Sequence, residues 1–279
     1  MNTNSNVYTV VYTTVIVVVV AAILAFVSQS LKSRQDANEK AETIAQMLTS
    51  AKYGTKAELD KLSNSEKLEK YAQEISEAYT IGLDGEKIED LPLDKVYSPS
   101  ELKRQNYNIK GGANKTAEPS LPVFKFSNGT VVVPVYGAGL WGPIWGYIAF
   151  EGGTSTIKGA YFDHESETAG LGAKIKDDPS FQAEFEGERA DFTSASVFEI
   201  VKGGAPKDAE GKSVVDNKID AITGATMTSQ GLDAAINTWL GAYSKHLSAN
   251  AAAECGGKCC EGHTEGQECQ KEHNCQEEE

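Results

Sequence analysis

From Val7 to Val27 the chain reads VYTVVYTTVIVVVVAAILAFV, and no charged side chain occurs anywhere between Met1 and Leu31. As a helix rising about 1.5 Å per residue, this run spans roughly 31 Å, the thickness of a bilayer's hydrocarbon core. In water such β-branched sequence resists helix formation. In hydrocarbon every backbone polar group must be satisfied within the segment, and helix wins. Tyr8 and Tyr12 suit a membrane interface. A cleaved signal peptide fits less well. The start is not basic, the apolar run exceeds the usual span of roughly 7–15 residues, and no A-x-A site follows. The expectation is a single transmembrane anchor over residues 1–31. Lys32, Arg34 and Lys40 follow it, so charge bias alone places the bulk of the chain in the cytoplasm; Asp36, Glu39 and Glu42 dilute that signal without cancelling it.

At 279 residues and 40% hydrophobic content, the whole chain is long enough for one sizeable domain plus extras, or for two small domains. A formal net charge of -14 argues against a nucleic-acid partner, which needs a basic surface. No internal period marks a solenoid. All five cysteines (Cys255, Cys259, Cys260, Cys269 and Cys275) fall in the last 25 residues, so disulfides cannot frame the main fold.

Residues 36–78 are rich in helix formers, with Leu59, Leu62, Leu68, Tyr71 and Ile75 at helical spacings. Residues 32–105 are therefore expected to form a helical linker leading away from the membrane. Asn106 to Ser120 is polar and glycine-containing, a loop. VFKFSNGTVVVPVYG predicts a hairpin turning at Asn128-Gly129, and WGYIAFEGGTSTIKGAYFDH two more strands around Gly-Gly. DFTSASVFEIVKGG predicts another strand. A final helix from about Ser229 to Leu247 carries Leu232, Ala235, Ile236, Trp239, Leu240, Tyr243 and Leu247 on one face. The fold class is α+β: an antiparallel sheet with packed helices over residues 106–248. Residues 249–279 are acidic and aperiodic, which predicts disorder. Their spacing, C-x3-C-C-x8-C-x5-C, matches no standard zinc or iron–sulfur pattern, and no metal site is expected there, although thiolates and imidazoles in such a tail are capable of scavenging metal.

The chemistry concentrates in IDAITGATMTSQG, Ile219 to Gly231, at the mouth of the last helix. A helix start has unpaired N–H groups and partial positive charge, and favours anions. Gly224 and Ala225 allow close approach to the backbone, and Thr226, Thr228 and Ser229 supply hydroxyls. A simple N-cap accounts for the same residues. No P-loop, G-x-G-x-x-G, G-x-S-x-G or H-E-x-x-H occurs, histidines are few, and no catalytic residue is expected.

DAITGATMT resembles the flavinylation motif of the covalent FMN-binding domain family, D-x-x-[S/T]-G-A-T, through Asp220, Thr223, Gly224, Ala225 and Thr226. The resemblance implies FMN esterified through its phosphate to Thr226, with Thr228 as the other acceptor. HESETAGLGAKI resembles the family's H-x-x-E-T-P-G-L-G segment through His164, Glu167, Thr168, Gly170, Leu171 and Gly172, with Ala169 where proline is usual. GAGLWGPIWGYIAF resembles the glycine-rich strand-turn preceding it, where Trp141 and Trp145 either flank a flavin ring or pack in the core. Glu167, Thr168, Leu171, Gly172 and Trp145 are the implied FMN contacts.

Anchor, linker and flavin domain together resemble the NqrC family, a component of Na⁺-translocating NADH:quinone reductases, with the paralogous G-type electron carriers of Rnf complexes as the alternative. The resemblance implies an electron relay without its own substrate site, with the other subunits of that Nqr complex as partners. It implies a flavin transferase for maturation, and a soluble domain on the periplasmic face of a bacterial inner membrane, against the charge bias. A membrane-anchored adaptor, or a metal-delivery protein acting through its tail, are the readings without flavin.

Overall fold

The structure, a computed structural model, describes residues 6–152, 154–207 and 215–258. Its first element, α1 (Asn6–Ser50), is one helix in two environments. The apolar window near its start is wholly exposed, whereas Ala41, Ile44, Ala45, Met47 and Leu48 are fully buried. Their spacing turns one stripe of the helix into the core.

The helix expected over 36–78 is broken. After α1, Lys52 (φ 64°) and Gly54 (φ 157°) turn the chain. Thr55 and Ser63 then start α2 (Lys56–Leu59) and α3 (Asn64–Glu74), each through a capping box with Glu58 or Glu66. At Ile75 the chain becomes β1 (Ile75–Ile81), followed by β2 (Lys87–Asp90). Ile75 continues the helical spacing of Leu68 and Tyr71, but tertiary pairing with a later strand overrides it. A third capping box, Ser98 with Glu101, opens α4 (Pro99–Lys110), which runs to Gly111 (φ 68°) through the first part of the expected loop. Tyr71, Ile81, Tyr97 and Leu102 belong to the same buried cluster as the later strands. Much of 32–105 is therefore body rather than linker, because its apolar residues have the rest of the sheet to pack against.

Strands β3 (Leu121–Phe126), β4 (Val131–Ala138), β5 (Pro143–Phe150) and β6 (Ile157–His164) follow, with Gly129 (φ 83°) in the first turn as expected. The six strands form one antiparallel sheet in the order β2-β1-β3-β4-β5-β6. β3 and β4 pair only at Phe124↔Val132 and Lys125↔Val131, then diverge. Two short helices, α5 (Lys174–Asp177) and α6 (Pro179–Ala183), come next. The strand expected within DFTSASVFEIVKGG is β7 (Glu199–Val201), and it pairs in parallel with β8 (Lys218–Asp220) outside the main sheet.

The last helix, α7 (Thr226–Lys258), begins earlier than expected and continues past Leu247 into the segment expected to be disordered. The rest of that tail, with Cys259, Cys260, Cys269 and Cys275, lies outside the described residues. α7 fills the split in the sheet. Buried Trp239 donates its indole N–H to the Tyr136 carbonyl (2.9 Å), and buried Tyr243 donates its hydroxyl to that of Pro122 (2.7 Å). Side-chain donors thus serve carbonyls on the two diverging strands. Gly137 and Gly231 let helix and strand approach closely: a Cβ on Gly137 would lie 2.5 Å from that of Ala235, and one on Gly231 would lie 2.2 Å from the Ala138 carbonyl. This contact fixes the start of α7 beside the β4–β5 turn.

Candidate functional site

Ser229 is the first residue of α7 to donate a helical hydrogen bond, to the Ala225 carbonyl (2.9 Å). The N–H groups of Thr226, Met227 and Thr228 are consequently left without backbone acceptors among the described residues, as at any helix start. Gly224 (φ 83°) turns the chain into this position, with the Leu171 side chain close enough that a Cβ there would meet it at 3.0 Å. The Ile222 N–H donates to buried Ser229 Oγ (3.1 Å), closing the turn on its inner side.

Thr226 and Thr228 stand two residues apart, hence about 200° apart around the helix. They cannot share an environment. Thr228 is buried, and its hydroxyl donates to Glu167 Oε2 at 2.6 Å. Thr226 is partly exposed and its hydroxyl makes no hydrogen bond among the described residues.

Glu167 connects the surrounding loops. Its Oε1 accepts the Trp141 N–H (2.9 Å) from the β4–β5 turn, and its own N–H donates to His164 Nδ1 (3.1 Å) at the end of β6. With Nδ1 accepting, a neutral His164 carries its proton on Nε2, which is buried and has no hydrogen-bond partner among the described residues. A Cβ at Gly139 or at Gly172 would lie 2.4 Å from a Glu167 carboxylate oxygen, so the carboxylate keeps this position because glycine stands at both places. The following loop is wound tightly, with the N–H groups of Leu171 and Ala173 both donating to the Thr168 carbonyl.

Around the polar helix start, three segments expose large apolar side chains: Leu140 (51%) and Trp141 (68%), Leu171 (42%), and Met227 (58%). Unpaired N–H groups favour an anion, the adjacent Thr226 hydroxyl can carry an ester, and the apolar rim suits a flat aromatic body. These residues fit a phosphorylated flavin.

Not every sequence-derived site residue lies here. Gly224, Ala225, Leu171, Gly172, Glu167 and Thr228 are brought together with Thr226. Thr168 and Thr223 are exposed at the edge, and neither side chain makes a hydrogen bond among the described residues. Asp220 is occupied elsewhere: it accepts from the Ala205 N–H (2.7 Å) and pairs with Lys207 Nζ (2.7 Å). Burial pushes its carboxyl up, but the Lys207 ammonium and the Ala205 N–H outweigh this and hold it below the ordinary carboxylate range. Trp145 lies directly across from Tyr136 and Asp163. Asp163 is held by Gln46 of α1 (2.8 Å), so this is the sheet face toward α1, whereas neighbouring Gly137 faces α7. The structure therefore does not bring Trp145 to the threonines; Trp141 is the tryptophan at the site. Strand alternation carries the signal, since Ile144 and Trp145 must face opposite ways.

The FMN-binding domain family matches residues 139–241, a span that contains all three site segments. NqrC of Vibrio anguillarum, from its Na⁺-translocating NADH-quinone reductase, is 36% identical over 112 residues, covering 40% of this chain and 41% of that one. Its counterpart from Pseudomonas aeruginosa is 34% identical over 114 residues, with 40% and 42% coverage. The matched stretch is thus about two fifths of those relatives' length. Among solved structures, the NqrC counterpart from Parabacteroides distasonis superposes with a TM-score of 0.57 at 31% identity, over 78% of this chain and 97% of that one. The chain belongs to the NqrC family of Na⁺-translocating NADH-quinone reductases. The Shewanella oneidensis NqrC structure shares this fold over 77% of this chain and 99% of its own, with a TM-score of 0.59 and 26% identity.

Proposed function

We propose that this chain carries FMN as a phosphoester on Thr226 and relays electrons as a membrane-anchored subunit of a Na⁺-translocating NADH:quinone reductase. The observation that supports the acceptor assignment is the contrast between the two threonines. Thr226 has a partly exposed, unengaged hydroxyl, whereas that of Thr228 is buried against Glu167.

Each residue has a physical part. The unpaired N–H groups of Thr226, Met227 and Thr228 hold the phosphate, aided by the helix dipole. Gly224 keeps a side chain out of its approach. Leu171, Trp141 and Met227 cover the apolar ring and exclude water from it. Bound FMN supplies reversible electron-transfer chemistry; the protein supplies position and field. With a net charge of -14, that field disfavours added negative charge. No base hydrogen-bonds the Thr226 hydroxyl among the described residues, so it is a weak nucleophile by itself and attachment needs a dedicated flavin transferase. The exposed apolar part of α1 anchors the chain among its partner subunits, with the domain on the periplasmic side of the inner membrane.

Thr226→Ala made in a host with the transferase should lose flavin fluorescence in a denaturing gel. Retained fluorescence in that variant, with loss only in a Thr228 variant, would move the ester to Thr228. Protease treatment of spheroplasts tests the topology: a domain cleaved only from the cytosolic side would contradict the periplasmic placement.

A further inference from the structure

The family resemblance casts Glu167 as an FMN contact, yet both carboxylate oxygens are already taken by the protein. Oε1 accepts the Trp141 N–H (2.9 Å) and Oε2 accepts the Thr228 hydroxyl (2.6 Å). The side chain is buried, and Gly139 and Gly172 flank the two oxygens so closely that a Cβ at either position would displace the carboxylate. A group enclosed in this way is poorly placed to meet a ligand. It is well placed to fasten the β4–β5 turn, the loop after β6 and the first turn of α7 to one another.

We propose that Glu167 is a positioning residue. Through Thr228 it fixes the rotation of α7's first turn so that Thr226 faces outward, and its buried negative charge lowers the reduction potential of the group Thr226 carries. This rests on the flavin reading above. The rotation argument follows from helix geometry: a Thr228 tied inward holds the residue about 200° away outward. Without the tie, the hydrogen bonds that remain on the first turn's inner side among the described residues are those of the Ser229 hydroxyl and the Ala225 carbonyl, while the packing of Gly231 and Ala235 on β4 holds the turn that follows. The charge argument is electrostatic. A carboxylate with few donors in a low-dielectric slot at the helix start opposes additional negative charge nearby. His164 supports the arrangement by accepting the Glu167 N–H and orienting its backbone.

The test uses the full-length chain, produced with the flavin transferase and purified in detergent. Covalent FMN per chain is read from denatured absorbance, and the midpoint potential from redox titration. Glu167→Ala and Thr228→Val should each reduce FMN loading by at least about tenfold, since small misplacement of a reacting group is costly. Together they should reduce it no further than the worse single variant, because both remove the same tie. Glu167→Gln keeps the shape and one acceptor; it should load like wild type but titrate at a more positive potential.

Four results would overturn the proposal. Glu167→Ala loading normally would remove the tie, and losses that multiply in the double variant would separate the two residues. A wild-type potential in Glu167→Gln would remove the electrostatic role. Failure of Glu167→Gln to load, with an unchanged melting temperature, would give the carboxylate a direct part in attachment and likewise contradict positioning. A wild-type chain without covalent flavin is a different outcome, which defeats the parent reading.

Discussion

The two sides of α7's first turn are built on opposite principles. Facing inward, Thr228 and Ser229 are buried and hydrogen-bonded, and Thr228 meets a carboxylate enclosed by glycines. Facing outward, Thr226 is unengaged and Met227, Leu171 and Trp141 are exposed, an arrangement with no evident value to the folded chain alone. One side has the features of a core and the other those of a binding surface. Substitutions on the inner side should therefore register as lost stability together with lost loading, and those on the outer side as lost cofactor at unchanged stability.

The largest expected effect is on the outer side. Thr226→Ala should abolish covalent flavin while leaving the melting temperature of the flavin-free chain unchanged, because surface changes usually fall within about 0.5 kcal/mol. Thr226→Ser, which restores a hydroxyl, should recover flavin. A large drop in melting temperature for Thr226→Ala would erase the distinction between the sides.

Next come the inner substitutions. Gly172→Ala forces a Cβ to within 2.4 Å of Glu167 and 2.5 Å of the Thr228 hydroxyl. Overpacking of this kind should lower stability by about 1–3 kcal/mol in urea unfolding of the flavin-free chain. Thr228→Val strands a buried carboxylate oxygen without its donor, at a cost of about 1–3 kcal/mol. Neutral stability in both variants would mean that the inner side is not packed as described. Leu171→Ala should barely alter stability, yet admit water to the bound ring. Iodide quenching of flavin fluorescence should strengthen, and unchanged quenching would remove Leu171 from the cover.

The smallest effect belongs to Asp220, which anchors the segment leading into the motif rather than the helix start itself. Its folded-state carboxyl titrates below the ordinary value. The stabilisation is therefore complete above the unfolded-state pKa of about 3.9 and is lost as pH falls through the depressed folded value. Asp220→Asn should cost less than about 1 kcal/mol at neutral pH, and the gap from wild type should close in acid. A gap that widens in acid would reverse this sign.

Much of this architecture is readable from sequence where local signals agree with tertiary structure. The Asn128-Gly129 turn and the apolar alternation of β4 and β5 are cases of this kind. β1 is not readable, because ISEAYTI prolongs the apolar spacing of α3 and becomes strand only through its pairing with β3. α4 hides behind a polar segment, although Ser98 and Glu101 spell a capping box. At the site, the motif coincides with the turn that opens α7 but does not by itself distinguish Thr226 from Thr228. That distinction depends on Glu167, remote in sequence, and on which way the first turn is rotated. The family resemblance suggests Trp145 for the site, whereas strand alternation sends it to the face toward α1.

The most direct measurement is fragmentation mass spectrometry of the tryptic peptide from Ile219 to Lys245, taken from the chain purified out of its native membrane. FMN less one water should be found on Thr226, with Thr223 and Thr228 unmodified. An unmodified peptide, or the flavin on Thr228, would contradict the assignment of the outer threonine as the carrier.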